Sequence, residues 1–141
     1  MSDSRKPLEE GAELTLDFSK LAKVAACSQP VMPVAVQDAR TKDVLIVAYV
    51  NEAALNHTLK TGNATFWSTS RNELWEKGAT SGDTLRVTEI RVNCEQNSLL
   101  YLVKPQGKGA CHTKTTDGRT RASCYYRALE NGRLVFLPGE K

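Results

Sequence analysis

Three cysteines, Cys94, Cys111 and Cys124, fall in the last third of a 141-residue chain, and His112 directly follows the second. Three thiolates on a zinc ion leave one tetrahedral position for water. The metal's charge lowers the pKa of that water toward neutrality and produces hydroxide, so the chemistry suggested is hydrolysis. A histidine with an unperturbed pKa of ~6.5 can take or relay the proton beside it. No pair has the Cys-x-x-Cys spacing of a zinc finger or ribbon, which disfavours a purely structural site. The competing reading is that the thiols are buried small hydrophobes, as free cysteines often are. Cys27, next to Ala26 and near Val24, is read as packing, and His57, between Asn56 and Thr58, as exposed.

A second constellation precedes the cysteines. Ser68-Thr69-Ser70-Arg71 is followed by Leu74-Trp75-Glu76-Lys77-Gly78-Ala79-Thr80-Ser81-Gly82. Ser70, Thr80 and Ser81 offer hydroxyls, Gly78 and Gly82 permit close backbone approach, and Arg71 and Lys77 supply positive charge, a combination suited to a phosphate ester. The order of a Walker loop is absent, and Thr80-Ser81-Gly82 alone would read as a turn. Residues 104–127 hold six Lys and Arg against Asp117, a local excess of +5 where the whole chain carries +3. Such a segment is either a solvated basic loop or a field that draws an anionic substrate toward the thiols.

The elements that must position these groups follow from composition and periodicity. With 40% hydrophobic and 25% charged residues the chain reads as one globular domain. A net charge of +3 is too small to argue for nucleic acid. Met1 to Glu10 lack an apolar core of signal-peptide length, and no run approaches the ~20 apolar residues of a membrane helix, so a cytoplasmic protein is expected. Residues 1–16 read as a mobile leader and 17–141 as the domain.

Phe18, Leu21, Ala22, Ala25 and Ala26 recur at helical spacing from about Asp17. Val31 to Gln37 and Val44 to Val50 flank a polar turn and predict a β-hairpin. Asn51 and Gly62 bracket a second helix from Glu52 to Thr61. Ala64 to Ser68, Leu85 to Val92 with an irregularity near Thr88 and Glu89, Leu99 to Val103, and Cys124 to Leu129 complete the strands. The expected architecture is α+β, a single domain with a mostly antiparallel sheet and two short helices. Cys94 would then end one strand and Cys124 begin another.

Gln37-Asp38, Ala48-Tyr49-x-Asn51, Ser68-x-Ser70-Arg71, Leu74-Trp75-x-Lys77-Gly78-x-Thr80-Ser81-Gly82, Ala110-Cys111-His112-Thr113 and Ser123-Cys124-Tyr125-Tyr126-Arg127 occur in that order. Together they resemble the phosphoribosyl-AMP cyclohydrolases of histidine biosynthesis over about residues 30–128. The resemblance implies hydrolysis of the N1–C6 bond of the adenine ring in N1-(5-phosphoribosyl)-AMP. It implies zinc (Zn2+) on Cys94, Cys111 and Cys124, proton transfer by His112, substrate binding by Ser70, Arg71, Trp75, Lys77, Gly78, Thr80, Ser81 and Gly82, and phosphates held by the basic loops. It also implies an intertwined homodimer whose sites are shared, so that the ligands need not come from one chain. Only fourteen residues follow Arg127, too few for the pyrophosphohydrolase domain fused to this enzyme in some organisms, and a monofunctional protein is expected.

Two departures from the family pattern stand out. Where the family has Asp-Cys-Asp-x-Asp for magnesium (Mg2+), this chain has Asn93-Cys94-Glu95-Gln96-Asn97. Amide oxygens can coordinate a hard cation but carry no charge, so the site is expected to be degenerate. The interval between Cys111 and Cys124 contains twelve residues and is longer than usual in the family, through an insertion around Thr115 to Thr120. Extra residues can loop outward at modest entropic cost. Besides a cyclohydrolase with a weakened magnesium site, these changes leave room for a divergent paralogue acting on another purine-like or amidine-containing nucleotide. A non-catalytic, zinc-stabilised binding domain is disfavoured by His112 beside an open metal position.

Overall fold

Val34 and Val36 alternate with less buried neighbours along one strand and are themselves completely inaccessible, the period-2 pattern of a strand with one face on the core. The computed structural model describes residues 6–141, and this strand, β1 (Met32–Asp38), lies at the heart of it. β1 pairs antiparallel with β2 (Val44–Val50) through the predicted hairpin, and parallel with β6 (Leu99–Pro105), which pairs antiparallel with β5 (Leu85–Val92). The sheet order is β2-β1-β6-β5, so β2 and β5 are its edges. The expected irregularity in β5 is present as a register shift between Val87 and Glu89, where the Thr88 hydroxyl donates to the Leu102 carbonyl at 3.0 Å.

Between β2 and β5 the chain forms α3 (Glu52–Thr61) and the hairpin β3 (Thr65–Ser68) and β4 (Glu73–Glu76). Asn51 caps α3 by accepting from the Ala54 N–H at 2.9 Å. The Thr58 hydroxyl accepts from the Thr65 N–H at 2.9 Å and splices the helix to β3. Phe66 of β3 lies 5.5 Å from the Trp75 ring of β4 and 6.3 Å from the Tyr101 ring of β6, so this hairpin packs on the sheet.

Several expectations are corrected. Among the described residues three helices are present where two were expected, because Pro7 starts an additional turn, α1 (Pro7–Glu10). The next helix, α2 (Lys20–Ala25), starts later than Asp17, whose carboxylate instead accepts from the Ser19 N–H at 3.0 Å. Phe18 and Leu21, read as its apolar face, are 93% and 71% exposed. Cys124 does not begin a strand. Its N–H donates to the Leu45 carbonyl at the β2 edge, and the last hairpin, β7 (Arg127–Glu130) with β8 (Arg133–Phe136), starts after it. β4 and β8 were not anticipated. Of the segment set apart as a leader, residues 1–5 lie outside the described residues. Further along, the carbonyls of Leu8, Glu9, Gly11 and Ala12 accept from Arg127, Tyr126, Arg127 and Leu134. No helix among the described residues is long and apolar enough to cross a membrane.

Candidate active site

The long interval between Cys111 and Cys124 is a hairpin. The Ala110 and Cys111 N–H groups donate to the Ala122 and Arg121 carbonyls, both at 3.1 Å, and the Thr115 N–H donates to the Arg119 carbonyl at 2.8 Å near the tip. The inserted residues thus project outward while their ends return Cys124 to Cys111. Close approach requires Gly109, since a Cβ there would stand 2.4 Å from the Arg121 carbonyl oxygen. The Ser123 hydroxyl donates to the Val44 carbonyl at 2.7 Å and the Cys124 N–H to Leu45 at 2.8 Å, which pins the second thiol against β2.

The two thiols have pKa values displaced in opposite directions. A hydrogen bond from the Cys124 thiol holds Cys111 down to about 5, with further help from the Thr113 hydroxyl and N–H against the opposing effect of burial. The Thr113 hydroxyl stands 2.9 Å from the Cys111 sulfur. Cys124, as the donor and half-buried, is pushed well up, while the charge of Lys77 acts on it in the opposite direction. Two neighbouring thiols, one of them readily deprotonated, are groups that could hold a soft metal ion.

His112 points outward with its side chain 78% exposed, and its Nε2 lies 3.0 Å from Glu9 Oε1. A carboxylate only accepts, so Nε2 carries the hydrogen and Nδ1 remains to accept a proton. The basic segment is largely committed within the chain. Arg121 pairs with Glu10, Arg119 with Glu140, and Arg127 with the Leu8 and Gly11 carbonyls. Lys104, Lys108 and Lys114 are left exposed, so the field for an anion is weaker than the charge count suggested.

The hydroxyl- and glycine-rich constellation forms two turns. Ser70 and Arg71 occupy the β3–β4 turn, where the Arg71 N–H donates to the Ser68 hydroxyl at 3.2 Å and its guanidinium faces Glu73 at 3.5 Å. Trp75 is half-buried on Phe66. Lys77 is 7% exposed, whereas Thr80, Ser81 and Gly82 are exposed on the loop that follows. Gly78 has φ +82°, and a Cβ there would collide with the Asp83–Thr84 backbone at 2.3 Å, so it serves the turn itself. Asp83 then accepts from the Lys108 N–H at 2.8 Å and ties this loop to the one that leads into Cys111. Asp83, Glu9 and Glu10 were all missed by sequence reasoning. Only Asp83 carried a signal, as an acid directly after Thr80-Ser81-Gly82.

Cys94 lies elsewhere. It is exposed in the turn joining β5 to β6, and β5 is the edge opposite β2, three strand spacings of about 4.8 Å away. Accordingly, among the described residues no three His, Cys, Asp or Glu side chains come together as a metal-binding group. The flanks of Cys94 bond to one another. Asn93 Nδ2 donates to Asn97 Oδ1 at 2.7 Å, Asn93 Oδ1 accepts from the Asn97 and Ser98 N–H groups at 2.9 Å, and Asn97 Nδ2 lies 3.4 Å from Glu95. The acceptors that would face a cation are occupied, and only Glu95 contributes a charge.

Fold and site together define a small α+β hydrolytic domain with a thiol pair, an adjacent histidine and a polar loop. The family model described as phosphoribosyl-AMP cyclohydrolase matches residues 46–126, from β2 to the residue before β7. A phosphoribosyl-AMP cyclohydrolase of Archaeoglobus fulgidus is 52% identical over 103 residues, covering 73% of this chain and 89% of the relative. That of Hyphomonas neptunium is 44% identical over 128 residues, covering 91% and 86%. A histidine biosynthesis bifunctional protein of Thermus thermophilus is 43% identical over 122 residues, 85% of this chain and 54% of that protein. The chain belongs to the phosphoribosyl-AMP cyclohydrolase family, whose members are cyclohydrolase enzymes.

Proposed function

We propose that this chain hydrolyses the N1–C6 bond of the adenine ring in N1-(5-phosphoribosyl)-AMP, as a step of histidine biosynthesis, using zinc held between two copies of the chain. The observation that carries this reading is the Cys111–Cys124 pair brought together by the hairpin, with the Thr113 hydroxyl 2.9 Å from the Cys111 sulfur and His112 next in the chain. Cys111 and Cys124 of one copy would supply half of a tetrahedral thiolate site, and Cys94, exposed on the opposite sheet edge, would serve a second copy. Phe18 and Leu21 supply exposed apolar surface of the kind a second copy covers.

Zinc bound there would supply a lowered water pKa and polarisation of the reacting centre. Within the chain, His112 is oriented by Glu9 and takes a proton at Nδ1, then returns it to the departing ring nitrogen. Ser70, Arg71, Thr80 and Ser81 offer exposed donors for the two phosphates, and buried Lys77 adds a charge next to the thiols. The Asn93–Asn97 turn does not fit magnesium, because its amides are mutually satisfied, and no step is assigned to that ion.

The test is incubation of the purified protein with N1-(5-phosphoribosyl)-AMP, following ring opening by absorbance, with metal analysis of the same preparation. Ring opening with about one zinc per chain supports the reading. Full activity in zinc-free protein removes the metal, and no ring opening in zinc-loaded protein removes the substrate in favour of another purine-like nucleotide.

A further inference from the structure

Among the described residues, Arg121 is the largest completely buried side chain. Its Nη1 and Nη2 donate to Glu10 Oε1 and Oε2 at 2.7 and 2.9 Å, its Nε donates to the Glu140 carbonyl at 2.8 Å, and the Glu10 side chain is itself 7% exposed. The guanidinium lies over the Tyr126 ring at 4.2 Å and the Phe136 ring at 5.3 Å. Three of its N–H groups are thus met by a fork-to-fork carboxylate and a carbonyl, and the cation stacks on two aromatic faces, with partners drawn from both ends of the chain and from β8.

The backbone of the same residue touches the thiol site. The Arg121 N–H donates to the Thr113 carbonyl at 3.2 Å, and its carbonyl accepts from the Cys111 N–H at 3.1 Å, so its peptide brackets His112. Three residues later comes Cys124, followed by Tyr126, whose hydroxyl donates to the Glu9 carbonyl at 2.7 Å. The side chain is anchored in a clamp, and the main chain fixes the hairpin segment that carries Cys111. A twelve-residue interval between two converging thiols has more freedom to lose than a short one, and an anchor inside it offsets that loss.

We propose that Glu10 and Arg121 form a positioning pair for the active site, with the N-terminal segment as the part that locks the inserted hairpin and holds Cys111 opposite Cys124. The effect on the metal rests on the zinc reading above, whereas the effect on the thiols does not. Removing one member of a buried pair strands a charge and risks unfolding, but replacing both by apolar groups of similar volume is commonly tolerated. The informative full-length variant is therefore Glu10→Leu with Arg121→Met. Its control is Val36→Ala, a completely buried site in β1 outside the hairpin.

Two quantities are measured. The first is zinc affinity by competition with a chromophoric chelator. The second is the rate of Cys111–Cys124 disulfide formation with diamide in metal-free protein, mapped by peptide mass spectrometry. The double variant should melt cooperatively, bind zinc roughly 10- to 100-fold more weakly and form the disulfide several-fold more slowly. Val36→Ala should lower the melting temperature and change neither quantity. A double variant equal to wild type in both, or a control that reproduces both losses, overturns the proposal. If the wild-type protein binds no zinc, the zinc reading fails by itself and the disulfide rate alone decides whether the pair positions the thiols.

Discussion

Nε2 of His112 and Oε1 of Glu9 lie 3.0 Å apart although 103 positions separate them in the chain. The contact exists because Tyr126 and Arg127, just past Cys124, hold the Leu8–Gly11 backbone against the site. If His112 moves the proton, His112→Asn should lower kcat by about 10²- to 10⁴-fold with little change in KM. Glu9→Gln, which loses the ionic orientation but keeps an acceptor, should lower kcat less. Steady-state kinetics decide this, and a change confined to KM would assign His112 to binding.

If the zinc ligands are shared between copies, as proposed above, complementation between inactive variants tests it. Cys94→Ser and Cys124→Ser should each be inactive. After subunit exchange, a mixture should recover about a quarter of wild-type activity, because half the dimers are mixed and each mixed dimer keeps one intact site. No recovery, with exchange demonstrated by mass, would place all three ligands in one copy. Cys27→Ser should be nearly silent, since Cys27 is buried just past the end of α2 and is far in the sequence from the other thiols.

The amide turn makes a prediction about magnesium that needs no activity assay. Magnesium at constant ionic strength should leave the melting temperature of the wild-type protein unchanged. Asn93→Asp with Asn97→Asp loses the 2.7 Å amide bond and sets two carboxylates face to face, a loss of about 0.5–1.5 kcal/mol or more without metal. Magnesium should restore it. Stabilisation of the wild-type protein by magnesium would show that the turn opens to a cation.

Metal-free protein should retain one thiolate per chain well into the acidic range. Cys111 is held down to about 5, so its ultraviolet thiolate absorbance should persist as pH falls from neutrality and disappear near that value. The sign follows from the donor. A hydrogen bond from Cys124 stabilises the charged form of Cys111, so Cys124→Ala, which has no donor, should move the transition upward, and Cys111→Ser should remove it.

Legibility of the chain varied with the physical origin of each feature. β1, β2 and α3 were readable because β-branched runs, the Asn51 cap and the Gly62 terminus are local signals, and α3 was bounded correctly at Glu52 and Thr61. The shift at Thr88 was visible because two apolar pairs fall out of phase. β4 escaped because Glu73-Leu74-Trp75-Glu76 is short and is a strand only by pairing with Phe66 and Trp67. At the site, the thiols and His112 were legible as reactive types. Glu9, Glu10 and Asp83 were not, since nothing local distinguishes an acid that pairs across the fold from one in solvent. For the same reason Arg121 was counted as surface charge when it is completely buried.

The bonds from Ser123 and Cys124 to Val44 and Leu45 have a consequence for solubility. They occupy part of the outer rim of β2, an edge strand that would otherwise offer unpaired N–H and C=O groups to another chain. At the far edge, β5 is interrupted by its register shift and carries Arg86, Glu89 and Arg91, two features that discourage strand addition. The segment that delivers a thiol to the site is also a guard against edge-to-edge aggregation. Losing its attachment would expose backbone as well as disperse ligands.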